Sequence, residues 1–365
     1  MSSRYFIGKT MAQTEKRILS TGNEAIAEAA IQAGCRFYAG YPITPQNEIP
    51  EYMAKRMPEV GGTFIQSESE IAAVNMIFGA LAAGAKAMTS SSSPGISLKQ
   101  EGISYLAACN LPAFIVNMMR GGPGLGDIRP SQSDYFQSTK GGGHGDYRLI
   151  CLAPATVQEA YDLSFEGFYL AEKYRNPVMI MGDGILGQMM EPLVIKNHIF
   201  PDNLPDKDYI LDGCKDREPR CIRSLFLKEG ELEKWNAALQ KKYAQIEKEV
   251  NRIEMIDVED ADLILTAYGS VFRICKAVMT EARKKGYKVG IIRPITLWPF
   301  PYKQISRLSD ASRKFLVVEM SSGQMVEDVR LAVNGKSEVF FKGRTGGGVP
   351  DEKKIMRKIE EILKR

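Results

Sequence analysis

From about residue 15 to 200, short apolar runs alternate with stretches of helical composition. This is the pattern of βα units around a parallel sheet. It predicts strands at 37–40, 63–66, 86–89, 113–118, 148–153 and 177–181, with helices at 25–33, 70–83, 100–108 and 157–174. A looser stretch rich in Asp and Pro, 201–218, ends this unit. One long helix is then expected at 231–253, where Leu232, Trp235, Leu239, Tyr243, Ile246, Val250 and Ile253 recur at spacings of three and four. That stripe buries one face, against the chain's own domains or, if the helix is an arm, against a partner. After Asp260 the alternation resumes, with strands at 263–267, 288–292, 315–319 and 338–341 and helices at 271–284 and 324–332. The expected organisation is a larger domain over 15–230, a helical linker over 231–258 and a smaller α/β domain over 259–365.

Composition narrows the function classes. Lys and Arg total 48 against 44 Asp and Glu, a net charge of +4 spread without a long basic run, so nucleic-acid binding is not expected. The six cysteines are scattered and form no C-x-x-C pair, which argues against an iron–sulfur cluster or structural zinc held by this chain alone. Residues 1–16 are polar and mixed, unlike a signal peptide, and no uncharged apolar run reaches membrane-spanning length. A cytoplasmic location is expected.

The most telling stretch is Gly40-Tyr41-Pro42-Ile43-Thr44-Pro45. Each proline fixes its own φ and pushes the residue before it, Tyr41 or Thr44, into an extended conformation. The loop is stiff and follows a predicted strand, where ligands sit in open α/β sheets. Ser67-Glu68-Ser69-Glu70 follows another strand and opens an apolar helix, so Ser67 and Glu70 fit a capping box. Arg120 closes the strand at 113–118 ahead of a glycine-rich turn, and its planar fork of donors suits a carboxylate. The loop Ser90-Ser91-Ser92-Ser93-Pro94-Gly95 offers hydroxyls and N–H groups at a fourth strand end, or is a polar turn. His144 lies in the glycine loop 141–145 and reads as a site-lining or a solvent-exposed residue. Gly182-Asp183-Gly184 is not followed by an Asn-Asn pair, and no G-x-G-x-x-G or Walker A motif occurs.

The hexapeptide resembles the Tyr-Pro-Ile-Thr-Pro signature of the 2-oxoacid:ferredoxin oxidoreductases. The resemblance runs from about Thr21 to Leu363, and the block Ser97 to Ser104 with Gly141 to Gly145 is most similar to the branched-chain members of that family. It implies an alpha subunit with a thiamine-diphosphate-binding fold, a pyrimidine-type domain whose parallel sheet is flanked by helices, followed by a smaller transketolase C-terminal-like α/β domain. It further implies oxidative decarboxylation of 3-methyl-2-oxobutanoate with coenzyme A to acyl-CoA, carbon dioxide and reduced ferredoxin, with 2-oxoglutarate chemistry or a noncatalytic assembly role as alternatives.

By the same resemblance Glu70 faces N1′ of the aminopyrimidine, where a carboxyl can share the proton that activates the cofactor. Thr44 and Arg120 orient the 2-oxoacid; Tyr41, Pro42 and Ile43 shape its pocket; Ser92, Ser93 and His144 line the cofactor. The family usually has glycine where Ser93 stands and a small residue where Arg129 stands. This chain is expected to hold the pyrimidine half of thiamine diphosphate and no metal. Diphosphate and magnesium contacts fall to a beta subunit, iron–sulfur clusters to partner chains, and gamma and ferredoxin-like delta subunits complete the complex.

Overall fold

Runs such as Phe114–Gly121 and Val178–Asp183 are buried at every position, as strands covered by helices on both faces must be. The structure, a computed structural model, describes residues 16–364 apart from 197, 199, 202 and 203. The leader expectation for residues 1–16 thus falls almost wholly outside the described residues, as does part of the 201–218 stretch.

The chain begins with β1 (Lys16–Thr21), α1 (Gly22–Gln32), β2 (Phe37–Gly40), α2 (Glu48–Glu59), β3 (Thr63–Gln66), α3 (Glu70–Ala82), β4 (Ala87–Ser91) and α4 (Ser93–Ala108). It continues with β5 (Phe114–Gly121), β6 (Asp127–Pro130), α5 (Tyr135–Thr139), β7 (Ile150–Leu152), α6 (Val157–Tyr174), β8 (Val178–Asp183), α7 (Gly184–Gln188) and β9 (Met190–Ile195). Next come α8 (Glu231–Glu249), β10 (Ile253–Ile256), β11 (Leu263–Thr266), α9 (Gly269–Lys284), β12 (Val289–Pro294) and β13 (Thr296–Trp298). The last elements are α10 (Tyr302–Leu308), β14 (Lys314–Glu319), α11 (Met325–Val333), β15 (Val339–Gly343) and α12 (Glu352–Leu363).

Two large sheets organise most of these elements, while β1 and β9 pair antiparallel in a sheet of their own. The larger runs β13-β7-β8-β5-β4-β2-β3, with β6 pairing off β5. Its strands from β7 to β3 are parallel, and β13 is antiparallel at the edge. The smaller sheet runs β10-β12-β11-β14-β15, parallel except for β10. The carboxyl ends of β2, β3, β4 and β5 lie side by side, so the loops after them converge at one edge.

The predicted strands recur within a few residues, and four elements show what tertiary packing changed. The long helix stops at Glu249, and Ile253 belongs to β10 rather than to the helical stripe. Leu239, Tyr243 and Ile246 pack inward, and Trp235 donates Nε1–H to the Ala108 carbonyl (2.8 Å), so the stripe packs on its own chain. The helix expected at 100–108 starts at Ser93, because Pro94 falls in its first turn, where a missing N–H costs nothing. Helix α2 was not expected; Pro50 sits in its first turn, where the missing N–H costs nothing, and Pro58 falls next to its last residue, where the helix is already ending. Strand β13 was read with the second domain, yet it pairs with β7 of the larger sheet.

One ion cluster ties the two sheets together. Arg293 on β12 is 3 % exposed and grips Glu159 of α6 with both Nη atoms (2.5 and 2.7 Å) while Nε donates to Glu254 of β10 (2.8 Å). Truncating one member of a buried cluster strands the others without a partner. Arg293→Ala is therefore expected to lower unfolding stability by about 3–5 kcal/mol, measured by denaturant titration. A loss below about 1 kcal/mol would mean the cluster is solvated and holds nothing.

Candidate functional site

The hexapeptide loop is held from below by side chains that satisfy its carbonyls one by one. Gln46 Nε2 donates to the Tyr41 carbonyl (3.3 Å), Asn23 Nδ2 to the Pro45 carbonyl (2.9 Å), and Arg120 Nη1 to the Thr44 carbonyl (3.1 Å). Gln46 in turn accepts from Ser90 Oγ (2.5 Å), which also meets the Tyr38 hydroxyl (2.7 Å). Loop and sheet end thus form one buried network, which fixes Thr44 without using up its hydroxyl as a donor. Tyr41 and Pro42 are exposed, while Ile43 and Thr44 are half-buried.

The capping box expected between Ser67 and Glu70 is not formed. Ser69 caps α3, accepting from the Ala72 N–H (3.2 Å), while Ser67 Oγ turns back to the Gly40 carbonyl (3.0 Å). The reason is that Ser67 lies on the strand-end network and Ser69 is the residue with extended φ and ψ at the helix start. Glu70 is thereby released from capping. Its residue is 6 % exposed, and among the described residues no hydrogen bond or ion pair reaches its carboxylate.

What faces that carboxylate is the start of α4. A Cβ on Gly95 would stand 2.0 Å from Ser91 Oγ and 2.6 Å from Glu70 Oε1, so this position admits only glycine. The hydroxyls of Ser91 and Ser92 are buried there without any partner. A buried carboxylate beside two unpartnered hydroxyls is costly unless a ligand completes it. The set accepts and donates hydrogen bonds as an aminopyrimidine requires, so these residues fit that half of thiamine diphosphate. Among the described residues no group of three His, Cys, Asp or Glu side chains comes together to hold a metal ion.

Ser93 differs from its neighbours. Its Oγ donates to Asp134 Oδ2 (2.5 Å) and accepts from the Arg120 N–H (3.1 Å), so in this structure it braces β5. Asp134 is pushed above the usual carboxylate range by burial, against the hydrogen bonds from Ser93 and Asn117. His144 is also not in this cluster. It is exposed and packs edge-on to Tyr105, at roughly 18 Å along α4 from Ser93 by helical rise. The glycine loop docks on the far end of the helix because Ser104 Oγ holds the His144 carbonyl (3.0 Å).

Arg120 is 5 % exposed and, among the described residues, pairs with no carboxylate. Nη2 donates to the Leu125 carbonyl (3.1 Å), and Nε is buried without a partner. Of five guanidinium N–H groups, two hold the loops on either side and others remain for a ligand. Arg129 is mostly exposed and pairs with Asp127, outside this cluster. Asp183, in the glycine motif set aside above, accepts from Ile185 N–H (3.0 Å) and Ser270 Oγ (2.6 Å), a structural link to α9.

Lys99 was not singled out from the sequence. Its side chain is wholly buried, donating to Thr89 Oγ1 (2.9 Å) and the Ser90 carbonyl (3.4 Å). The sequence carried a signal: Lys99 lies in phase with buried Ile96 and Ile103, a charge in the core register of α4. Burial pulls its pKa from 10.5 down to about 7, with the Glu70 charge opposing. The folded chain therefore binds fewer protons at Lys99 than the unfolded chain between about pH 7 and 10.5. Stability should rise with pH across that window and carry the full penalty below it. Lys99→Met is expected to flatten this rise and raise the melting temperature at pH 7, read by calorimetry; an unaltered pH slope would contradict it.

An α/β fold whose strand ends present a partnerless buried glutamate, a proline-locked loop and a buried arginine describes a thiamine-diphosphate protein. Comparison with known families agrees. Residues 28–256 match the pyruvate flavodoxin/ferredoxin oxidoreductase thiamine diphosphate-binding model, and residues 261–355 match pyruvate:ferredoxin oxidoreductase core domain II. The chain is 50 % identical over 341 residues to the ketoisovalerate oxidoreductase subunit VorB of Methanothermobacter marburgensis, covering 93 % of this chain and 96 % of that one. It is 36 % identical to the 2-oxoglutarate synthase subunit KorA of Methanothermobacter thermautotrophicus, over 93 % and 96 % of the two chains.

Among solved structures, the 2-oxoglutarate:ferredoxin oxidoreductase of Magnetococcus marinus superposes with a TM-score of 0.82 at 25 % identity. The match covers 94 % of this chain and 65 % of that one. An inactive split-gene transketolase shares the fold at a TM-score of 0.59 and 12 % identity. This chain belongs to the 2-oxoacid:ferredoxin oxidoreductase family, as an alpha subunit carrying the thiamine diphosphate-binding domain. No helix among the described residues is long and apolar enough to cross a membrane.

Proposed function

We propose that this chain is the alpha subunit of an enzyme that oxidatively decarboxylates a branched-chain 2-oxoacid, 3-methyl-2-oxobutanoate, with coenzyme A to acyl-CoA, carbon dioxide and reduced ferredoxin. The observation that carries the reading is Glu70, a buried carboxylate without a partner at the point where the hexapeptide loop, Arg120 and the serine turn meet. The 50 % identity to a ketoisovalerate oxidoreductase subunit, against 36 % to a 2-oxoglutarate subunit, supports the branched-chain substrate. An assembly-only subunit has no use for an unpaired buried carboxylate, which is costly to keep.

In this reading Glu70 and the Ser91 and Ser92 hydroxyls hold the pyrimidine half of thiamine diphosphate, which supplies the carbanion chemistry when bound. Glu70 keeps a proton shared at N1′. Arg120 draws the substrate carboxylate to its free N–H groups, and Thr44 presents its hydroxyl beside it. Tyr41, Pro42 and Ile43 bound the substrate on the open side. The gain is in positioning and in preorganised charge.

Tyr41, Ile71, Leu98, Leu125 and Ile128 are exposed apolar residues next to these groups in sequence. A surface of that kind suits a partner subunit, here a beta chain bringing diphosphate and magnesium contacts. Gamma and ferredoxin-like delta chains then lead electrons to ferredoxin. The two sheets support a pyrimidine-binding domain over 15–230, a helical linker over 231–258 and a transketolase C-terminal-like domain over 259–365, with β13 reaching across. The test is anaerobic, coenzyme-A-dependent viologen reduction by the complex that co-purifies with this chain. Fastest reduction with 3-methyl-2-oxobutanoate is expected. Preference for 2-oxoglutarate or pyruvate would overturn the substrate, and inactivity of a fully loaded complex with all three would overturn the enzyme.

A further inference from the structure

Lys99 is a buried cation with no ion pair among the described residues. Its Nζ is held by two neutral acceptors at the end of β4, and among the described residues no carboxylate lies within salt-bridge distance. The groups facing it can be stated element by element. From α3 comes Glu70. From β4 come Thr89 and Ser90, neither ionisable near neutrality. From β2 comes Tyr38, whose hydroxyl is bonded to Ser90 Oγ and is pushed far above its usual range by burial. Asp134 and Arg120 meet Ser93 at the helix start and are engaged there. Glu70 is thus the counter-charge of Lys99 among the described residues, across a gap wider than a salt bridge.

Two buried groups of opposite charge leave the pocket neutral. Once a ligand shares a proton with Glu70, that balance is broken, and an isolated buried ammonium is among the most costly arrangements a protein can hold. We infer that Lys99 is a positioning residue that releases its proton when the thiamine diphosphate pyrimidine engages Glu70, so that the buried site stays neutral before and after cofactor capture. The inference rests on Glu70 being the cofactor's carboxyl partner. The balance is simple: an ammonium N–H bond breaks and its proton passes to bulk water, while the proton shared by Glu70 and the ring is taken from bulk water. The near-neutral titration of Lys99 places this exchange in the physiological range. Its consequence is that cofactor affinity varies little with pH around neutrality, because one uptake offsets one release.

The experiment is calorimetric titration of thiamine diphosphate, with magnesium present, into the purified complex stripped of cofactor. Running it in buffers of different ionisation enthalpy gives the net number of protons exchanged. At pH 7 the wild type should take up about half a proton fewer than Lys99→Met, and the two should agree at pH 9, where Lys99 is neutral throughout. Equal counts at pH 7 overturn the inference. Glu70→Gln separates the layers: if it exchanges protons as the wild type does, the Glu70 reading fails. If it abolishes uptake while Lys99→Met matches wild type, only the role of Lys99 fails. Should Lys99→Met not assemble, Thr89→Val serves. It removes the hydroxyl acceptor and disfavours the ammonium, so its uptake at pH 7 should rise in the same direction by less, and an unchanged count overturns the proposal.

Discussion

Glu70→Gln is expected to lower turnover by about 10²–10⁴-fold, the range a positioned proton-transfer group contributes, while leaving the chain folded. The second half of that statement is the sharper one. Glu70 makes no hydrogen bond or ion pair with any described residue, so the amide breaks no direct contact and removes only the counter-charge that Lys99 meets across a wider gap. At pH 7 stability should fall by no more than about 1 kcal/mol, and at pH 9, where Lys99 is neutral, it should be unchanged or rise. Thermal unfolding of the stripped complex and steady-state viologen reduction of the loaded one measure the two halves separately. A large stability loss would show that the carboxylate has a structural partner. Full turnover would remove Glu70 from the chemistry.

Arg120→Lys should be nearly as damaging, although the charge is kept. One guanidinium spans the Thr44 carbonyl and the Leu125 carbonyl, and its Nε remains free. An ammonium is a point donor without the planar fork, so it cannot hold both loops and a carboxylate together. Losing one or two charge-assisted hydrogen bonds corresponds to about 2–4 kcal/mol, or roughly 30- to 1000-fold in kcat/KM. The loss should appear mostly as a raised KM for the 2-oxoacid, with thiamine diphosphate affinity little changed. A variant with weakened cofactor binding and normal KM would assign Arg120 to the cofactor side instead.

Both effects depend on details that differ in how far the sequence alone reveals them. The strand at 37–40, the stiff loop after it, and the helix beginning at Glu70 were legible because prolines, apolar runs and an apolar helix are local features. The wrong cap was a local ambiguity as well: two serines precede Glu70 at plausible spacings, and only the network around the Gly40 carbonyl selects Ser69. Helix α2 was hidden by two prolines, one in its first turn and one next to its last residue. The place of His144 along α4 was not legible, because a glycine loop says nothing of which end of that helix it docks against.

What the sequence by itself determined is the alternation that makes a parallel sheet, the stiffness of the Gly40–Pro45 loop, and the residue types available at four strand ends. These follow from backbone restriction and hydrophobic period, which act over a few residues. Only the tertiary structure decided which hydroxyls are free and which are engaged, Ser91 and Ser92 against Ser93, since that depends on Asp134 some 41 residues away. It alone decided that Arg120 bridges two loops, that β13 joins the larger sheet, and that Lys99 is buried with Glu70 as its counter-charge. Burial and long-range hydrogen bonding set those outcomes, and neither is a property of any short stretch of chain.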